Sequence, residues 1–171
     1  MNTAEIACIL RRYLDALCVR FEGVFAADTI GTIRKYPTCF VVNTDAADKP
    51  GEHWVACYAK SQSEFEFFDS YGMPAEAYSH LRLPYRISSY NDVSLQAIDS
   101  YACGHFCIYY LCMRARGMSL SRIVSRLSCT KPARRDSLVR RYVFRITTIL
   151  HIKRPCRDAC VGLQCCGKRV Q

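Results

Sequence analysis

Apolar residues recur at helical spacing in the first stretch of the chain. Ile6, Ile9, Leu10, Tyr13, Leu14 and Leu17 fall on one face, with Arg11, Arg12 and Asp15 opposite. Asn2 and Glu5 have the spacing of a capping box, so a helix is expected over residues 2–17. The pattern then breaks. Residues 21–36 carry glycines at 23 and 31 and read as a turn-rich loop that covers or lines a cleft. Three short runs follow, C-F-V-V-N-T (39–44), H-W-V-A-C-Y-A (53–59) and F-E-F-F-D (65–69). Their β-branched and aromatic residues predict strands of a sheet covered on both faces. The turn D-A-A-D-K-P-G (45–51) and a polar hairpin (60–64) join them. Pro74 can open a short helix to Leu81, and residues 84–90 suggest a fourth strand at an edge.

The second half is helical. An apolar, Tyr-rich run predicts a buried helix from Cys103 to Arg116, stopped by Gly117. Ser119 can cap a helix through Leu127. Residues 132–151 read as a long amphipathic helix, apolar at Leu138, Val139, Tyr142, Val143, Ile146, Ile149 and Leu150. The order helix, strands, helices gives an α+β fold rather than alternating βαβ units.

At 171 residues, the chain is long enough for one domain with a proper core. No apolar run approaches the ~18 residues of a membrane span, and no association with a membrane is expected. The first dozen residues lack a charged segment followed by an apolar core, so no signal peptide is expected. The 12 cysteines are therefore read as reduced thiols, with the C-terminal cluster treated separately.

The candidate chemistry lies in Q-A-I-D-S-Y-A-C-G-H-F-C, residues 96–107. Cys103 opens the buried helix, where unpaired N–H groups and the helix dipole favour a thiolate. Gln96 can offer an amide to the same space. G-E-H-W supplies His53 at the start of one strand, and Asp69 ends a strand that pairs with it antiparallel. A hairpin sets those ends side by side. Cys103 as nucleophile, His53 as base and acid, Asp69 to orient the imidazole, and Gln96 with the Cys103 N–H as oxyanion donors would form a complete thiol-hydrolase set. Singly, each residue has an ordinary use: a cysteine as a small buried hydrophobe, a histidine at a strand start, an aspartate in a turn. The order and spacing carry the case.

G-E-H-W, then F-F-D-S-Y-G with its Asp sixteen residues after the His, then Q-x6-C-G-x-F-C, resembles the adenain family of adenovirus maturation proteases. Related proteases of adintoviruses and Polinton/Maverick-type elements share the pattern, within the clan of ubiquitin-like-protein proteases. The likeness covers residues 37–112, is weaker before them and poor after Arg116. It implies a papain-like α+β fold, with a central, mostly antiparallel sheet flanked by helices and the nucleophile at a helix N-terminus. It gives Cys103, His53, Asp69 and Gln96 the roles named above, and Trp54 that of shielding the imidazole, with ordinary core packing as the other use of that ring. Adenovirus enzymes carry Glu where this chain has Asp69; the cellular branch of the clan carries Asp. The resemblance further implies a monomeric cysteine endopeptidase of host nucleus and virion. It would cut capsid and core precursor polypeptides at Gly-containing sites during maturation, stimulated by DNA and, in adenoviruses, by a peptide activator. No cofactor is required for the chemistry itself. The peptide-binding determinants are not recognisable in this sequence.

Charge bears on the DNA expectation. Residues 1–130 hold 13 basic and 13 acidic side chains, while residues 131–171 hold 11 and 2 and with them the whole net charge of +9. Arg134, Arg135, Arg140, Arg141 and Arg145, with Lys153 and Arg154, are the candidate nucleic-acid contacts; a solvated helix face is the simpler use of such arginines. A protease domain over 1–152, with residues 131–152 as its basic helix, precedes a basic Cys-rich tail, 153–171. In that tail Cys156, Cys160, Cys165 and Cys166 lack the C-x2-C spacing of zinc knuckles, and no metal is expected; disulfides or free thiols remain open. Two other functions compete: a deconjugating protease for a ubiquitin-like modifier, and an inactive protease-fold protein that binds DNA as a structural component.

Overall fold

The computed structural model describes residues 1–153. Helix α1 spans Thr3–Leu14 and opens on the expected capping box: Asn2 Oδ1 accepts from Glu5 N, and Glu5 Oε2 from Asn2 N, each at 2.9 Å. Ile6, Leu10 and Leu14 are its buried stripe. A single 3₁₀ turn, Asp15–Leu17, extends it to Cys18, whose left-handed φ of 56° turns the chain into the sheet.

Five strands lie in sequence order: β1 (Arg20–Ala26), β2 (Thr38–Asn43), β3 (Trp54–Ala59), β4 (Phe65–Phe68) and β5 (Ser89–Tyr90). β2, β3 and β4 pair antiparallel, whereas β1 runs parallel to β2 and β5 parallel to β4. The sheet is therefore mixed, not mostly antiparallel. β1 is the main difference from the sequence reading, which takes residues 21–36 as loop throughout. Gly23, a turn signal in the sequence, sits at the register shift between Phe21 and Gly23 with φ +147°; it marks a bulge in a strand, not its end.

The expected strand over 84–90 shrinks to two residues, anchored by Ser88 N and Oγ, which both donate to the Phe65 carbonyl. The expected helix over 74–81 is one 3₁₀ turn, Ala75–Ala77. It has no side-chain cap, and Tyr78 leaves it in an extended conformation, its hydroxyl held by Asp69.

Alternation along the strands divides the core in two. Cys39, Val41, Ala56, Tyr58 and Phe68 face a helical layer; Phe40, Val42, Val55, Cys57, Phe65 and Phe67 face the loops around Ala27, Ile33, Ala75 and Leu81. α2 (Cys103–Ala115) is the central element of the helical layer. It is buried from Phe106 through Arg114, packed against β3 and flanked by α1 and α4. A helix apolar on every side is the expected signature of such a position. Gly117 at φ +85° ends it. α3 (Leu120–Ser128) is capped by Ser119 Oγ, and α4 (Pro132–Lys153) closes the layer with Val139, Val143 and Ile146 buried. Among the described residues, no helix is long and apolar enough to cross a membrane.

Candidate active site

Three chain segments meet at one end of the sheet. The first is the entry to β3. Gly51 takes φ +88°, and a Cβ there would lie 2.5 Å from the Asn43 amide, so the turn before His53 requires glycine. His53 is left immediately before β3, 7% exposed.

The second is the turn after β4. Asp69 is fully buried, and its backbone is clamped by Asn91: Asp69 N donates to Asn91 Oδ1 (2.9 Å), and Asn91 Nδ2 to Asp69 O (2.6 Å). Gly72, at φ +73°, closes the turn onto the backbone of Val93 and Ser94, which a Cβ would strike at 2.6–2.9 Å. The carboxylate has four hydrogen-bond partners. Tyr71 N (3.0 Å) and His53 Nε2 (2.5 Å) meet Oδ1; Met73 N (3.0 Å) and the Tyr78 hydroxyl (2.8 Å) meet Oδ2.

The third is the start of α2. Ala102 stands at the cap position and offers no side chain to the helix. The N–H groups of the first turn are thus left to the Cys103 side of the site. Cys103 is half-buried, and His53 lies close enough to act on its thiol. Since Asp69 takes Nε2, Nδ1 is the ring nitrogen that serves the thiol.

The electrostatics follow from these contacts. Burial alone would lower the His53 pKa, but the hydrogen bond that His53 donates to Asp69, joined by the interaction with Cys103 and both charges, raises it to about 9. Burial alone would raise the Cys103 thiol. The His53 hydrogen bond and charge, with backbone contacts at Trp54 and Gly104, outweigh it and hold the thiol below its ordinary value. Asp69 is likewise pushed up by burial and brought lower overall by His53 and by its own donors. The His53 and Cys103 directions both favour a thiolate–imidazolium pair. Cys107, one turn further along α2, is the opposite case. It is fully buried, burial drives its thiol well above the ordinary value, and it donates to the Trp54 carbonyl at 3.3 Å.

Cys103, His53 and Asp69 are thus brought together, and Gln96 is carried to the same place. Leu95 N and Gln96 N both donate to Ser70 O (2.8 and 3.0 Å), docking the 91–96 segment on the Asp69 turn. The Gln96 side chain is buried. Its Oε1 accepts from Ser70 Oγ (2.8 Å), and its Nε2 donates to Ser100 O (2.6 Å) and to the Tyr71 hydroxyl (3.1 Å).

The rings that stack on His53 are Tyr71 (4.8 Å, 30°) and Tyr78 (6.0 Å, 26°). Trp54 is partly buried and packs against the helix-side core. Tyr71, Tyr78, Ser70 and Asn91 belong to the site without being expected there. Their sequence signal is no more than membership of turn-like or weakly stranded segments.

The basic helix is corrected at one position. Arg135 is not a surface cation: it is 9% exposed and donates to the carbonyls of Thr130 (2.7 Å), Ser94 (2.9 Å) and Leu95 (3.2 Å). It precedes Val139 by one helical turn and shares that residue's buried face. Its task is to tie α4 to the segment that carries Gln96. Arg134, Arg140, Arg141 and Arg145 are exposed, and Arg134, Arg141 and Arg145 fall along one stripe by helical periodicity. Lys153 ends α4; Arg154 and Cys156, Cys160, Cys165 and Cys166 lie outside the described residues. Among the described residues, no group of three or more His, Cys, Asp or Glu side chains is placed to hold a metal ion. A cavity of about 670 Å³ lies between α1 and α4, and Cys103 does not line it.

No protein-family model matches the chain, and a search of curated proteins gives no match.

Proposed function

We propose that the chain is a cysteine endopeptidase. One observation carries the reading: a half-exposed thiol at an uncapped helix start shares an imidazole with a fully buried, multiply hydrogen-bonded carboxylate. A structural cysteine needs none of this, and Cys107, four residues away, has none of it.

In this reading the Cys103 thiolate attacks the scissile carbonyl carbon, and the carbonyl π pair moves to oxygen. His53, protonated in the resting pair, gives its proton to the departing amine as the C–N bond breaks. Water then attacks the thioester, with His53 taking its proton, and the acid leaves Cys103. Asp69 keeps the ring oriented and offsets its charge through both proton transfers. The N–H of Cys103, at the start of α2, would serve the oxyanion in this reading; a donor in that role is worth about 3–4 kcal/mol of barrier.

The finer identity rests on the sequence resemblance. An adenain-like, papain-type site, with His before Cys in the chain, would cut viral or element-encoded precursor polypeptides at Gly-containing sites in the host nucleus and virion. The exposed Arg134, Arg141 and Arg145 stripe supports a DNA contact beside that activity.

Cleavage of Gly-Gly-containing peptides, followed by mass spectrometry, tests the reading. Wild-type protein should cut at defined bonds, and Cys103→Ala should not, while keeping the wild-type circular dichroism. Equal cleavage by the variant would exclude Cys103 as the nucleophile.

A further inference from the structure

The oxyanion donor suggested by the sequence, Gln96, has a difficulty in its own geometry. An amide nitrogen carries two hydrogens. One points to Ser100 O at 2.6 Å, the other to the Tyr71 hydroxyl at 3.1 Å. The carbonyl end accepts from Ser70 Oγ at 2.8 Å, and the Ser100 carbonyl, which can only accept, holds the amide against flipping. Neither hydrogen is left for a substrate. The Tyr71 hydroxyl is differently placed. It accepts from Gln96, which leaves its own hydrogen to donate, and that hydrogen has no acceptor among the described residues. The ring of Tyr71 is stacked on His53, so the phenol lies against the base on one side and the amide on the other. Cys103 is close enough for its charge to act on the phenol, which burial and that charge hold protonated.

Resting on the cysteine-protease reading, we propose that Tyr71 is the side-chain oxyanion donor of this site, and that Gln96 is a positioning residue that acts through it. As Sγ bonds to the carbonyl carbon, the oxygen receives the π pair and accepts a hydrogen bond from the Tyr71 O–H; the proton stays on the phenol. Gln96 aims the phenol oxygen and polarises its O–H from behind. Ser70 and Ser100 hold Gln96 in that attitude. The D-S-Y-G turn then supplies two functions within three residues: Asp69 orients the base, and Tyr71 meets the developing charge.

The experiment compares Tyr71→Phe, Gln96→Ala and the double variant in three measurements on the full chain. These are kcat and KM on a cleaved Gly-Gly peptide, the affinity of a peptide aldehyde that forms a hemithioacetal with Cys103, and the alkylation rate of Cys103 by iodoacetamide. The aldehyde adduct carries an oxyanion-like oxygen, and alkylation does not. Tyr71→Phe keeps the ring on His53. It should lower kcat roughly 10²–10³-fold with little change in KM, weaken the aldehyde to a similar degree and leave alkylation unchanged. Gln96→Ala should lose less, and the double variant no more than Tyr71→Phe alone. Tyr71→Phe within about threefold of wild type in both kcat and aldehyde affinity would overturn the assignment, as would a greater loss in Gln96→Ala than in Tyr71→Phe. Failure of the underlying reading looks different: Cys103 alkylation in wild-type protein would be no faster than in His53→Ala, and both proposals would fall.

Discussion

β4 and α2 are joined at both ends by a charged pair, and the two ends behave differently. At one end Glu66 meets Arg114 at 2.7 Å, near the C-terminus of the helix, where a cation is favoured. Tyr110 donates to the same carboxylate at 2.7 Å, the guanidinium lies 4.4 Å from the centre of the Tyr58 ring, and Arg114 also donates to the Met118 carbonyl. At the other end Asp69 meets His53, and through it Cys103, at the N-terminus of α2, where an anion is favoured. The helix dipole suits both arrangements. The difference lies in what is left over. The Glu66–Arg114 pair directs its donors into the protein. The Cys103 pair contains two groups that exchange a proton, and Cys103 is only half-buried. One end holds the layers together, and the other keeps its reactivity because it is incompletely used.

Substitutions at the two ends should therefore separate activity from stability. The largest effect on activity is expected for Asp69→Asn. The side chain keeps its shape, but the charge that raises His53 is gone; kcat should fall about 10⁴-fold, measured on a cleaved peptide, with Cys103 alkylation at neutral pH slowed as well. Glu66→Gln should do the reverse. It leaves Arg114, whose side chain is 10% exposed, without its counter-charge. Chemical denaturation should show a destabilisation of about 3–5 kcal/mol, with kcat of the remaining folded protein near wild type. If Glu66→Gln slowed the chemistry as much as Asp69→Asn, the two ends would not be separable.

How much of this is legible in the sequence depends on the range of the interactions. The α1 capping box, the Ser119 cap and the stop at Gly117 are local, and the structure forms all three. His53, Asp69 and Cys103 stand out in the sequence because strand ends and a helix start fix their positions to within a residue. Tyr71, Tyr78 and Asn91 do not. Asn91 and Tyr71 draw their roles from the docking of the 91–96 segment on the Asp69 turn, between residues more than twenty positions apart, and Tyr78 from a bond across that turn. β1 escapes a sequence reading because a glycine in a bulge looks like a glycine in a turn until the partner strand is known. Arg135 is a different matter. Its helical phase with Val139 and Val143 is visible in the sequence, but five arginines in one helix pass for one charged face.

The arginines give a smaller contrast of the same sort. Arg134→Ser, Arg141→Ser and Arg145→Ser together should weaken binding to duplex DNA and reduce the slope of log affinity against log salt by up to about one unit for each phosphate no longer neutralised; thermal stability should hardly change. Arg135→Ala should instead lower thermal stability and leave the salt slope intact. An unchanged slope in the triple variant would remove DNA binding from this face.

Protonation has a defined sign at the reactive end. His53, raised from 6.5 to about 9, contributes stability that is complete below 6.5 and is lost as pH rises through about 9. Asp69, lowered from 3.8, contributes stability above that value, lost as pH falls through its folded-state pKa. The thiolate–imidazolium pair should persist between the protonation of Cys103 on the acid side and the deprotonation of His53 on the alkaline side.

The most direct measurement is the rate of iodoacetamide alkylation at each cysteine between about pH 5 and 10, a span that brackets both ionisations, read by peptide mass spectrometry in wild-type protein and His53→Ala. Cys18 and Cys129 are more exposed than Cys103 and serve as internal standards. The account predicts that at about pH 6–7, below the ordinary thiol range, Cys103 reacts fastest despite its lower exposure, and that this lead disappears in His53→Ala. Reactivity that follows exposure, with Cys103 behind Cys18 and Cys129 at every pH and indifferent to His53, would contradict it.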